Sequence, residues 1–420
     1  MKSDKKIVIE NMASLFLVQG ANYILPLITF PYLVRVLGLD RFGLIAFSIA
    51  FVQYFVIFVD YGFNLTATRE ISINRNNIDS ISRIFCNVMI IKFILVLISF
   101  LLYLSLILYF PMFRTEIYLY LIGFLAVLGN LLFPVWFFQG IENIKVVAIF
   151  NLLSKLIFTL TIFVFVKEQS DYLKVMALQT GGVLFSGIGA FLYAFIKYPI
   201  KVVLPKYYDI KTDLRNGWYV FATILSSTLV NNSNIFILGL FADNKIVGMF
   251  AIADKIIRVF INICVPISNA IFPMVSKLFS ESKEVALTLI RKVLVYGGGV
   301  FVLLCIVLFL SADSLVFLIS GESNIDISIL IRIMSIVPLS IFIDNLYGTQ
   351  VLININRSDQ FMKAVLFPGI ASIILSFIFV PMWKYYATAI IFVFSELLIL
   401  FMMIYYVRKN KIYLIKKGIA

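Results

Sequence analysis

Twelve runs of about twenty mostly apolar residues, separated by short polar loops, occupy almost the whole 420-residue chain. A helix needs roughly twenty such residues to cross the hydrocarbon layer of a bilayer. The runs fall at approximately 12–34, 42–63, 84–109, 117–138, 146–166, 175–196, 217–241, 248–272, 293–310, 327–349, 364–383 and 386–407. They are continuous rather than alternating, and a backbone in lipid must bond within its own segment, so helices are expected rather than a β-barrel. Composition agrees: 62% of the residues are hydrophobic and 14% charged, where a soluble chain is about half apolar and a quarter charged. The expected fold class is an all-α integral membrane protein of about twelve transmembrane helices.

Loop charge sets the expected orientation. With the N-terminus inside, 23 Lys and Arg fall in or beside the inner loops and 7 in the outer ones, the bias expected when the richer set is cytoplasmic. Both termini are therefore expected in the cytoplasm. The basic loop 197–216, with Pro199 and Pro205, divides the helices six and six, giving an N-terminal lobe 1–205 and a C-terminal lobe 206–420. A short repeat spans the division. Leu37-Gly-Leu39 and Phe42-Gly-Leu-Ile-Ala-Phe47 in the first half match Leu238-Gly-Leu240 and Val247-Gly-Met-Phe-Ala-Ile252 in the second. Six helices per half makes this a parallel repeat about an axis along the membrane normal, which points to a central cavity between lobes.

Several function classes are excluded. The chain carries a net charge of +13, but no basic helix face or RNA-binding motif that would suit nucleic acid. It has no histidine, and Cys86, Cys264 and Cys305 lie far apart in apolar runs, so no metal cluster, disulfide framework or cofactor is expected. Gly297-Gly-Gly299 lacks the Lys-Ser/Thr of a phosphate loop, and no other ATP-binding motif is present. The apolar run after Met1–Lys6 is too long for a cleaved signal and is expected as a retained first helix.

Charge inside a span is expensive and marks function. Nine positions qualify: Lys92, Lys155, Lys255, Arg258 and Arg332 as cations, and Asp60, Asp254, Asp344 and Glu396 as carboxylates. The cations would suit an anionic substrate and the carboxylates ion coupling. Lys155 and Glu396 lie near the middle of their spans and are expected to face a cavity. Asp254 and Arg258, at i and i+4, have the spacing of a pair on one face, whereas Asp60, Lys92, Arg332 and Asp344 lie close enough to span ends to snorkel or cap. Amides such as Asn22, Gln53, Asn130, Asn151 and Gln179 are expected to bridge helices, and the dense Asn231-Asn-Ser-Asn234 suggests a wet surface. Gly182, Ser186 and Ala190, four apart, form a face for close helix packing.

Four further segments carry a resemblance. Asp60-Tyr-Gly-Phe-Asn-Leu-Thr-Ala-Thr-Arg-Glu-Ile-Ser72 and Trp136-Phe-Phe-Gln-Gly-Ile-Glu142 resemble the polysaccharide-transporter (Wzx-type flippase) family. So do Ile237-Leu-Gly with Val247–Lys255, and Pro266 with Phe272-Pro273. The resemblance implies a MATE-like exporter with two six-helix lobes around a cationic cavity. It implies an undecaprenyl-pyrophosphate-linked oligosaccharide as substrate, moved from the cytoplasmic to the periplasmic leaflet of a bacterial inner membrane by cation-coupled alternating access. A polysaccharide polymerase and a chain-length regulator are the implied partners. The competing readings are a small-molecule exporter of the same superfamily, which favours an acidic cavity, and a membrane polymerase or glycosyltransferase, which favours a long outer loop. A non-transporting scaffold would leave Lys155 and Glu396 as uncompensated stability costs.

Overall fold

The computed structural model describes the backbone of residues 2–204 and 206–414, and the side chains of 25–204, 206–225, 228 and 232–414. Asn22, Asn231, Pro205, the basic residues Lys2, Lys5, Lys6, Lys416 and Lys417, and the first half of the first expected span lie outside the residues whose side chains are described. Among the described residues the secondary structure is helical, without strands.

The helices are α1 (Lys2–Asp60), α2 (Phe63–Ile73), α3 (Ile78–Tyr109), α4 (Pro111–Arg114), α5 (Ile117–Leu132), α6 (Val135–Gly140), α7 (Ile144–Phe165) and α8 (Tyr172–Lys197). The second half holds α9 (Tyr207–Phe241), α10 (Asn244–Ile261), α11 (Cys264–Glu281), α12 (Lys283–Leu310), α13 (Ala312–Ser320), α14 (Ile325–Met334), α15 (Val337–Asn345) and α16 (Ser358–Lys409), with a π-helical segment Leu346–Leu352 after α15. Eight stretches among the described residues are long and apolar enough to cross a membrane. Two of them are each a pair of spans joined end to end. Gly38, at φ 70°, breaks α1 between the runs 12–34 and 42–63. Lys384, at φ 46°, breaks α16 between 364–383 and 386–407.

Three expected spans are not continuous helices. The run 117–138 breaks at Phe133 and Pro134, between α5 and α6, because proline cannot donate to the carbonyl one turn back. The run 248–272 bends at Asn262 and Ile263, just before Pro266, and resumes as α11. The run 327–349 is divided into α14, α15 and the π segment, with Pro338 in the first turn of α15. Hydropathy registers the apolar length of such a run, whereas the break depends on where the backbone loses a bond.

The chain forms two compact units, 1–228 and 229–420. The boundary expected at 205/206 lies just before α9, and the first turns of that helix belong with the first unit. There Tyr61 stacks on Phe221 with ring centroids 4.8 Å apart, and a Cβ on Gly62 would lie 2.7 Å from Val220.

In the first unit, α5 and α8 approach until their backbones touch: a Cβ added to Gly187 would sit 2.4 Å from the Gly129 carbonyl oxygen. The small-residue face of α8 meets α7, where Ser186 Oγ donates to the Phe150 carbonyl at 3.0 Å and Gly182 faces Ser154. Phe51, Tyr103, Phe113 and Tyr120 pack ring against ring nearby, and the Tyr103 hydroxyl donates to the Tyr120 carbonyl at 2.7 Å. In the second unit, Phe301 stacks on Phe342 at 4.4 Å above a core containing Leu346, Val351, Ile399 and Met403. The outward faces of α3 and α12 are apolar, with Leu101, Leu303 and Leu310 exposed, as lipid-facing helices require.

Candidate functional site

The ionisable residues inside the spans fall into separate groups. In the first unit, Pro134 supplies no N–H to the Asn130 carbonyl, leaving that acceptor orphaned inside the bundle. Lys92 Nζ fills it at 3.1 Å and pairs with Asp60 Oδ1 at 3.2 Å. The other Asp60 oxygen accepts from Asn64 Nδ2 at 2.8 Å. Lys92 is 1% exposed, so its ammonium does not snorkel as its nearness to a span end suggested. It is held by a carboxylate and a carbonyl and ties α3 to the ends of α1 and α5. Lys155 sits half-buried on α7, beside the buried Ser154.

The second unit holds the densest group. Asp254 and Arg258 form the i, i+4 pair, Arg258 Nε donating to Asp254 Oδ2 at 2.7 Å. The remaining oxygen of Asp254 is buried without a hydrogen-bond partner among the described residues. Glu396, 6% exposed on the second arm of α16, interacts electrostatically with Arg258 and with Asp344. Thus α10 and α16 bring two carboxylates, Asp254 and Glu396, to one guanidinium, and α15 sets Asp344 against the second of them, although 142 positions separate Asp254 from Glu396 in the sequence. Lys255 is exposed beside this group. Arg332 pairs with Asp313 at 2.7 Å, the position of a span-end residue.

One feature was not legible in the sequence. A pocket of about 140 Å³ opens among α1, α5 and α8, lined by Gln53, Asn130, Gln179 and Thr180 together with apolar residues such as Val56 and Met176. The amides were expected to bridge helices. Instead Asn130 Nδ2 donates to the Ala126 carbonyl of its own helix at 3.1 Å, and neither the Gln53 nor the Gln179 side chain makes a hydrogen bond among the described residues.

The two motifs of the first half meet each other. Thr68 Oγ1 on α2 donates to the Trp136 carbonyl at 3.1 Å. A Cβ on Gly140 would lie 2.7 Å from Ile71, and Arg75 pairs with Glu142 at 2.8 Å. Gly62, at φ 79°, turns the chain from α1 into α2, a conformation that favours glycine. These residues build the junction rather than a polar cavity. On the other side of the unit, Asp171 accepts from the Lys167 and Glu168 amides at 2.8 and 3.2 Å. Those bonds, the Lys167 amide foremost, and Lys174 hold its carboxyl down from 3.8 to about 2.

Residues 8–279 match the family described as polysaccharide biosynthesis protein. A curated relative from Escherichia coli (strain K12), named "Putative O-antigen transporter", is 32% identical over 415 residues, covering 98% of this chain and 99% of its own. A second of the same name, from Shigella dysenteriae, is 27% identical and covers 94% and 98%. Among solved structures, an inward-facing multidrug resistance MATE family transporter of the MOP superfamily aligns with a TM-score of 0.70 at 15% identity, covering 94% of this chain and 96% of that one. The lipid II flippase MurJ, in an inward closed conformation, aligns at 0.65 and 13%, covering 95% and 87%. The fold is that of these transporters, and the relatives are transporters rather than enzymes. With the match running over residues 8–279 and the relatives over nearly the whole chain, this multi-pass membrane transporter belongs to the polysaccharide biosynthesis protein family.

Proposed function

We propose that the protein is a flippase for an undecaprenyl-pyrophosphate-linked oligosaccharide of the O-antigen type. In this reading it carries the head group from the cytoplasmic to the periplasmic leaflet of a bacterial inner membrane by cation-coupled alternating access, with both termini cytoplasmic. The observation that carries the reading is the end-to-end similarity to two proteins named O-antigen transporters. The charge pattern fits it. A pyrophosphate bearing sugars is anionic and wet, so it calls for Lys and Arg, which charge-assisted bonds to phosphate favour, while its polyprenyl tail remains in lipid.

Within this reading Lys155, Lys255 and Arg258 serve the pyrophosphate, with Lys92 and Arg332 as further candidate cations. Glu396 and Asp344, which interact electrostatically, serve a coupling proton or metal cation, with Asp254 and Asp60 as further candidates. Lys92–Asp60 and Arg332–Asp313 are paired within their own units, which puts their contribution on position more than on contact. A polymerase and a chain-length regulator are the proposed downstream partners.

The test is complementation of a flippase-deficient strain, with protein level checked by blot. One charge-assisted contact is worth about 1.5–3 kcal/mol, so Lys155→Ala should weaken substrate binding about ten- to a hundredfold and abolish surface polysaccharide. Lys155→Arg should retain part of it. Arg258→Ala should be milder, since Asp254 already engages that guanidinium. Normal polysaccharide from the Lys155→Ala, Arg258→Ala double variant would remove these cations from the substrate site.

A further inference from the structure

We propose that the amide-lined pocket of the first unit receives one neutral sugar ring of the transported glycolipid and gives the carrier its preference for that sugar. The inference rests on the flippase reading above.

The pocket lies at membrane depth, with Gln53 at the middle of the run 42–63. A primary amide away from water carries two donors and an acceptor that hydrocarbon cannot satisfy. The side chains of Gln53 and Gln179 make no hydrogen bond among the described residues, and Asn130 spends one Nδ2 donor on its own helix, so its side-chain Oδ1 is available. Three amides therefore present unspent donors and acceptors to one small space. The lining contains no charged side chain. It offers nothing to balance a phosphate or a metal cation, which leaves a neutral ligand rich in hydroxyl groups.

Size and shape narrow the class further. At about 140 Å³, the space is close to the roughly 150 Å³ cavity that takes one benzene ring, so a single six-membered ring is the scale of occupant. Ile49, Val52, Val56, Met176 and Val183 supply an apolar wall. A pyranose has matching surfaces: C–H groups across its faces and hydroxyls around its rim, which an amide can engage in pairs. The wall is also well positioned. Lys92 Nζ holds the Asn130 carbonyl from behind, and the close approach of α5 and α8 at Gly129 and Gly187 fixes the separation of the two helices.

The experiment uses full-length protein in lipid nanodiscs and two probes: the lipid-linked oligosaccharide extracted from cells that make it, and undecaprenyl pyrophosphate without sugar. The variants are Gln53→Met, Gln179→Met and the double, which keep side-chain length and remove the amides. Because those amides have no partner among the described residues, the melting temperature should not fall. Wild type should bind the sugar-bearing lipid about tenfold more tightly than the bare lipid, the scale of a pair of hydrogen bonds. The double variant should lose that preference while holding bare lipid as wild type does. A double variant that keeps the preference would overturn the inference and leave the flippase reading standing, and so would a wild type with no preference. Failure of wild type to bind either lipid would defeat the flippase reading itself, and this inference with it.

Discussion

Lys92 shows how little residue identity says about the role of a charge in a membrane span. Two turns from a span end, a lysine can snorkel, and the sequence favours that. The structure instead buries it against Asp60, 32 positions away, because Pro134 strips the Asn130 carbonyl of its usual partner. Neither Asp60 nor the orphaned carbonyl is legible without knowing which helices touch. Removing one member of a buried pair leaves the other uncompensated, at about 3–5 kcal/mol. Lys92→Met should therefore lower the melting temperature sharply, and adding Asp60→Asn should restore much of the loss. Equal melting of wild type and Lys92→Met would contradict the pairing. Asp254 and Arg258 are the opposite case, since an i, i+4 spacing on one helix exposes the pair to sequence reading, and the structure has it at 2.7 Å. Asp171 gives a pH-dependent test outside the spans. Its folded carboxyl is held below the ordinary value by the Lys167 and Glu168 amides and by Lys174. A depressed carboxylate stabilises the folded state above its unfolded value and loses that contribution as pH falls toward the folded one. The difference in melting temperature between wild type and Asp171→Asn should thus be full at pH 6 and shrink as pH falls from about 4 toward 2. A difference unchanged over that window would exclude the carboxylate as its source.

Among elements, apolar length and helix interruption are separate signals. The turns at Gly38 and Lys384 fall where the apolar runs pause, so sequence places them well. The breaks after α5, after α10 and after α14 lie inside runs that hydropathy reads as continuous, and only the local loss of backbone bonds produces them. The small-residue face of α8 was legible from its four-residue spacing and packs on α7 at Ser154 and Phe150. The tighter contact, between Gly129 and Gly187, was not, because it requires two glycines on different helices to meet. It makes a sharp prediction. A Cβ at 187 would meet the Gly129 carbonyl oxygen at 2.4 Å, and backbone there cannot yield without moving a helix. Gly187→Ala should cost about 1–3 kcal/mol, the range for overpacking, whereas Gly181→Ala, with open space around its Cβ, should cost nothing measurable in the same melt. Equal effects would mean that α5 and α8 are not in contact there.

At the level of the whole molecule, two compact units each carry their own polar equipment: a private ion pair and an amide pocket in the first, and in the second the Asp254–Arg258 pair with Glu396 and Asp344 beyond it. The transporter fold and family were legible because apolar length, loop charge and a few short motifs are local properties. The convergence of Asp344 and Glu396, from α15 and α16, is a property of packing and was not. Translocation of a lipid-linked oligosaccharide across the bilayer can be followed directly in reconstituted vesicles. Proteoliposomes loaded with the extracted glycolipid would be exposed to an impermeant sugar-oxidising reagent, with leaflet access followed in time. Wild-type protein should expose the inner-leaflet pool at a rate well above that of protein-free vesicles. Glu396→Gln should bind the glycolipid as wild type does and flip it more slowly. Flipping no faster than in protein-free vesicles, by protein that still extrudes a small organic cation, would contradict the claim and make the chain a small-molecule exporter.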